Sequence, residues 1–302
     1  MLFIGLMIGV FTFCLFRVRV VGKLDTSQFQ QIMDLLPKDW RKFADVDFDW
    51  LVSYLGRTSF TLDEPMLVLL ISAWAIVRGS DVVSGELSRG TMEMFLAQPI
   101  SRRRVFVTHA AWTILGLVAL VLTAWLGMAV AVWTTFVEES RYPEVFGIPL
   151  TFAQAVKTDV AMSSQVSPWM FIPGVINLFA LGLFLAAASA LVSAFDSFRW
   201  RTLGIMSAFY FANAGIKILG MSMEEDRWVT NLSIFGFYSP ANAIAEVQKH
   251  WTNAFALFQF DPAGEFLRSG ALLNNVVLMG LAVAAYVIGC RRFHRRDLPA
   301  PM

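Results

Sequence analysis

The sequence predicts an all-α integral membrane protein with six transmembrane helices and a cytosolic helix between spans two and three. Three observations lead there. The 302 residues are 57% hydrophobic and only 16% charged, well below the charged content of an ordinary soluble domain, and the mean hydropathy is +0.59. The apolar residues come in long blocks without charge, which water-soluble helices do not show. Arginines crowd the short connections between those blocks, the pattern that fixes membrane topology.

The blocks give six spans, read as one domain over residues 1–302. Span one, 2–16, is short against the ~20 residues a helix needs to cross. Residues 17–22 extend it if Arg17 and Arg19 snorkel. With no preceding positive charge and no small-residue cleavage site, it reads as a retained span rather than a signal peptide. Span two, 58–77, carries Asp63 and Glu64 near one end. Residues 105–137 contain no Lys, Arg, Asp or Glu. As one helix they would measure about 50 Å, more than the ~30 Å hydrocarbon core. A tilted helix, a helix with an interfacial extension and two spans with a tight turn all fit that length. Spans four to six are 169–195, 202–223 and 270–290. Cys14 and Cys290 fall inside apolar blocks, as small hydrophobes rather than a disulfide framework.

Orientation follows from the basic residues. Arg78, Arg89, Arg102, Arg103, Arg104, Arg199, Arg201, Arg291, Arg292, Arg295 and Arg296 lie in the short connections and the tail. That side is expected to be cytosolic, with both termini inside. Arg17, Arg19 and Lys23 directly after span one run against this density. The net charge of +1 implies no acidic polymer as partner, and the basic residues lack the aromatic interleaving of a nucleic-acid surface. In the outer loops, residues 43–55 alternate acidic and apolar positions, and 238–260 are aromatic. Both read first as interfacial packing, with a short interfacial helix over 240–251.

Familiar catalytic chemistry is absent from the sequence. There is no Gly-rich phosphate loop, no HExxH and no GxSxG elbow, and His109, His250 and His294 are far apart. Polar groups inside spans are Asn177, Asn213, Lys217, Asn274 and Asn275. Interhelical hydrogen bonding accounts for the asparagines and snorkelling for Lys217. The functional alternative places Asn177, Asn213, Lys217 and Asn274 along a substrate pathway.

The most particular segment joins spans two and three. Residues 84–98 read as helix, stopped by Pro99. At ~100° per residue Glu86, Arg89 and Glu93 share one face, and Val83, Leu87, Met94 and Gln98 another, with Phe95 beside them. Gly85 and Gly90 weaken a continuous helix, so a break is expected near Gly90. Ser101 and Arg102–Arg104 return the chain to the bilayer at a basic anchor. An amphipathic helix on the inner leaflet is the plain reading.

The run Gly85-Glu86, Arg89-Gly90-Thr91-Met92-Glu93, then Leu96-Ala97-Gln98-Pro99-Ile100-Ser101-Arg102 resembles the hallmark segment of type-2 ABC exporter permeases. The family pattern is approximately GE-x-x-x-GT-x-x-x-LL-x-x-P-V/I-S-R after span two, with Phe95-Leu96 here at the leucine pair. Leu36-Pro37 and Glu64-Pro65 look similar to the loop that precedes it. The resemblance implies the transmembrane subunit of an ATP-driven exporter in the cytoplasmic membrane. It implies no cofactor on this chain, with ATP and Mg on a separate ABC ATPase subunit, and a second permease subunit as partner. The 84–98 element becomes a coupling helix that docks in a cleft of the ATPase. Gly85, Glu86, Arg89, Gly90, Thr91, Glu93, Met94, Phe95, Pro99 and Arg102 become its candidate contacts. In that reading Glu86, Arg89 and Glu93 supply polar contacts, Met94 and Phe95 are docking knobs, and Gly90 is a bend. Thr91 caps the second half of the bend, and Arg102 anchors to headgroup phosphate. The family pattern also includes a cytosolic amphipathic helix ahead of span one, implied here either upstream of Met1 or missing. The competing reading is a non-transporting scaffold or mechanical transmitter that recruits a cytosolic ATPase.

Overall fold

The structure, a computed structural model, describes residues 1–23, 35, 46, 48–96, 98–141, 144–145, 148–149, 156–223, 227–260 and 267–296. Among these residues six helical segments are long and apolar enough to cross a membrane: Leu2–Lys23, Pro65–Ser88, Arg102–Thr134, Pro168–Phe195, Arg199–Ser222 and Ala271–Arg295. Their main helices are α1 (Leu2–Lys23), α4 (Pro65–Ser80), α7 (Arg102–Thr134), α8 (Ile172–Phe195), α9 (Arg199–Ser222) and α11 (Ala271–Arg295). Short helices α2 (Phe48–Val52) and α3 (Tyr54–Ser59) precede α4. Helices α5 (Glu86–Ser88) and α6 (Thr91–Leu96) link α4 to α7, and α10 (Pro240–Lys249) lies between α9 and α11. Among the described residues strand is confined to connections, chiefly an antiparallel pair of β1 (Phe136–Arg141) and β2 (Val156–Ala161) after α7.

Several boundaries move from their sequence positions for local reasons. Helix α1 continues to Lys23 because its arginines find partners. Arg17 Nε lies 2.6 Å from Glu64 Oε1, and Arg19 donates to the Thr134 hydroxyl at 3.0 Å. The basic residues that ran against the topology are thus held at the end of the bundle where α4 begins and α7 ends. Pro65 occupies the first turn of α4, where its missing N–H costs nothing, so Thr58 falls in α3 instead. Residues 102–134 form one helix rather than two. Pro168–Phe171 is a 3-10 turn leading into α8. The alternating acidic stretch at 43–47 and Leu36-Pro37 lie largely outside the described residues.

Helix α8 is the centre of the bundle and packs on α4, α7 and α11. Its small residues Ala186, Ser189 and Ala190 are buried and let α4 approach closely, as small residues do between membrane helices. At that contact the Ser189 hydroxyl donates to the Ile76 carbonyl at 2.7 Å. Leu67, Ile71, Leu117, Leu120, Leu178 and Leu185 fill the core between the three helices.

The two ends of the bundle differ. One gathers the arginines, with the 81–101 connection, the α8–α9 turn and the end of α11. The other carries the long loops, with the 227–249 segment folded against α8, α9 and α11.

Candidate functional site

At the arginine end α4 does not stop cleanly. Asp81–Gly85 forms one turn of π-helix before α5, a wide turn that recurs at functional positions in membrane and soluble helices alike. Its cause lies on α8. The backbone N–H groups of Val83 and Ser84 donate to the Ser193 hydroxyl oxygen at 3.2 and 2.7 Å. The Ser193 hydroxyl in turn reaches the Ser80 carbonyl at 3.1 Å. Ser84 Oγ lies 3.1 Å from Thr202 Oγ1 of α9. The widened turn is therefore stitched to α8 and α9 by buried hydroxyls.

The same turn places Asp81 among three arginines. Its carboxylate lies 3.7 Å from Arg78, 3.1 Å from Arg89 and 3.3 Å from Arg199 at the start of α9. Arg89 also pairs with Glu86 at 2.8 Å, and the Thr91 hydroxyl binds the Glu86 carboxylate. Partial burial works against the Arg89 charge. The hydrogen bonds and charges of Glu86 and Asp81 more than offset it and raise its pKa above the ordinary arginine value. A Cβ at Gly85 would fall 2.5 Å from Asp81 Oδ1, so the missing side chain leaves room for this carboxylate.

Gly90 comes next with φ +73, the left-handed conformation that non-glycine residues adopt only at a cost. It separates α5 from α6 and resets the phase of the helix. The break falls within the stretch on which Glu86, Arg89 and Glu93 were expected to share one face. Glu86 is buried and bound to Arg89 and Thr91. The Thr91 hydroxyl donates to Glu86. Met92 is fully buried against Val82, Val83, Phe106 and Phe293 and seats α6 on the bundle, whereas Met94 is 72% exposed. Glu93 and Phe95 lie on α6, their side chains outside the described residues, and Pro99 is exposed beyond it. The Arg102 guanidinium donates to the Arg296 carbonyl and ties α7 to the end of α11.

The polar span residues fall at the opposite end. Asn177 donates to the Phe237 carbonyl at 3.1 Å and to Asn275 at 2.9 Å, and accepts from Ser239 N–H at 3.0 Å. Asn213 accepts from Ile234 N–H at 3.0 Å. Lys217 donates to the Tyr238 carbonyl at 3.0 Å, and Asn274 to Ser239 Oγ at 3.2 Å. They hold the backbone of 233–239 against the spans. Lys217 also borders a cavity of ≈ 180 Å³ with Asp63, Ser239 and Asn242. Asp81, Ser193 and Arg199, which organise the arginine end, carry no motif signal in the sequence.

Six segments long and apolar enough to cross a membrane, with a charge-locked broken helix between the second and third, define a polytopic membrane protein. The chain belongs to the ABC-2 family of transporter proteins, whose sequence profile, described as ABC-2 family transporter protein, matches residues 2–298. No curated protein and no solved structure matches it significantly. It is thus a transmembrane component of an ABC transporter, and its family implies association with an ABC ATPase.

Proposed function

We propose that the chain is the permease subunit of an ATP-driven exporter in the cytoplasmic membrane, with both termini and the 81–101 segment facing the cytosol. A separate ATPase subunit binds ATP and Mg, and a second permease subunit completes the substrate path. The observation that carries this reading is the Asp81–Leu96 elbow. Its inner part is locked to α8 and α9 by Ser193 and Arg199, and its tip leaves Met94 open to a partner.

The elbow is suited to passing force. Motion imposed at α6 reaches α4 directly through the chain and reaches α9 through the Asp81–Arg199 pair. A carboxylate shared by three arginines can exchange partners without leaving a charge unpaired, whereas a lone buried pair cannot. ATP binding on the partner would then bias inward and outward arrangements of the spans. Exposed Met94 replaces Glu86 and Arg89 as the direct contact, and those two residues shape the elbow.

The test is reconstitution of the chain with its cognate ATPase in sealed vesicles. ATP-dependent outward movement of a solute supports the exporter. Stable recruitment of the ATPase, with ATP turnover but no solute movement across a panel of lipids, peptides and drugs, supports the scaffold.

A further inference from the structure

The arginines at one end of the bundle fall into two populations. Arg78, Arg89, Arg199 and Arg201 each have a carboxylate within 4.0 Å. Arg103 and Arg104, at the start of α7, and Arg291, Arg292 and Arg295, near the end of α11, have none among the described residues. All five are exposed. The two helix ends that carry them are joined, because Arg102 donates to the Arg296 carbonyl and Phe106 stacks on Phe293 with ring centroids 6.3 Å apart. The first turn of α7 contains no acidic residue, and its helix dipole adds positive charge there. Among the described residues no carboxylate lies within 4.0 Å of the five arginines of this rim, and the charge of Asp196 bears on neighbouring Arg296.

The rim borders directly on apolar surface. Arg104, Val107, Leu115, Val118 and Leu122 succeed one another along one face of α7 at helical spacing, and the four apolar members are exposed. On α11, Val283, Val287 and Ile288 are exposed next to Arg291. A partner that satisfies both surfaces carries an anionic head and long apolar chains.

We propose that Arg103, Arg104, Arg291 and Arg295 form a basic rim that binds anionic phospholipid, the guanidiniums taking headgroup phosphates and the acyl chains lying on the α7 and α11 faces. Guanidinium suits phosphate because its donor fork can engage two oxygens at once. Arg102 adjoins this surface through its bond to Arg296, and the proposal stands independently of the transport reading.

Native mass spectrometry of the purified full-length chain tests it, with phosphatidylglycerol, phosphatidylcholine or inorganic phosphate added. An arginine near an anionic surface contributes about five-fold in affinity. The wild-type chain is therefore expected to retain phosphatidylglycerol at least about ten-fold better than phosphatidylcholine. The Arg103→Gln, Arg104→Gln, Arg291→Gln, Arg295→Gln variant should lose that preference, and an Arg201→Gln control should keep it. Equal retention of the two lipids by the wild-type chain overturns the proposal, whatever the variants do. So does displacement of phosphatidylglycerol by inorganic phosphate at equal concentration. An unchanged lipid preference in the quadruple variant, together with lost ATPase association, would assign the rim to an acidic protein surface instead.

Discussion

The carboxylate of Asp81 lies 3.3 Å from the Arg199 guanidinium, so the end of the second span and the start of the fifth share a charge pair. Arg199 Nε also reaches Ser80 Oγ at 3.4 Å. Asp81→Asn and Arg199→Gln should each lower the unfolding midpoint of the purified protein, by about 1–2 kcal/mol for a partly exposed charge-assisted contact. Because the two residues share one interaction, the double variant should cost little more than the worse single one. Strict additivity in a thermal unfolding cycle would show that the pair is not energetically coupled.

The elbow should be sensitive to backbone conformation at Gly90 and to space at Gly85. Nothing lies within 4 Å of a Cβ built at Gly90, so the penalty there is conformational. Gly90→Val should cost about 1–2 kcal/mol and Gly90→Asn less, because Asn tolerates the left-handed region. Gly85→Ala should displace the Asp81 carboxylate and mimic Asp81→Asn. Limited proteolysis between α5 and α6 checks the order, with Val cut fastest and Asn close to wild type.

How far these features could be read beforehand depends on their range in the chain. The spans follow from local hydropathy, so long apolar blocks reveal them, and Gly85–Arg102 is visible as one contiguous motif. The lock is not local. Asp81 sits at the end of an apolar run, and only the fold brings it to Arg199 on another helix. The π turn arises from Ser193, an unremarkable serine within an apolar block. Helical periodicity placed Glu86, Arg89 and Glu93 together by assuming a constant phase through Gly90, where the chain changes hand. Met92, to which the sequence reading gave no role, is the anchor of α6, buried against Phe106 and Phe293.

Ser193→Ala removes the acceptor for two buried N–H groups, those of Val83 and Ser84. Leaving such donors unsatisfied costs roughly 1–3 kcal/mol each, unless the turn relaxes to ordinary α-helix. A fall in thermal midpoint, with faster amide exchange at 82–85, is expected. Faster exchange confined to α8 would contradict the assignment of Ser193 to the π turn.

At the loop end, Asn177→Leu deletes contacts to Phe237, Ser239 and Asn275 together. Hydrogen exchange in residues 233–241 should accelerate by about ten-fold or more, as for the loss of roughly 1.5 kcal/mol of local stability. Unchanged protection there would mean that Tyr238, Asn213 and Lys217 suffice to hold the segment.

If the elbow transmits the ATPase's work through the Asp81 lock while Met94 makes the contact, the two roles should separate. ATP hydrolysis by the reconstituted complex, measured beside co-purification of the ATPase, tells them apart. Met94→Asp should abolish association. Asp81→Asn should leave association intact but lower permease-stimulated hydrolysis by about ten-fold, equivalent to ~1.4 kcal/mol of coupling. Wild-type stimulation in the Asp81→Asn complex would contradict the account.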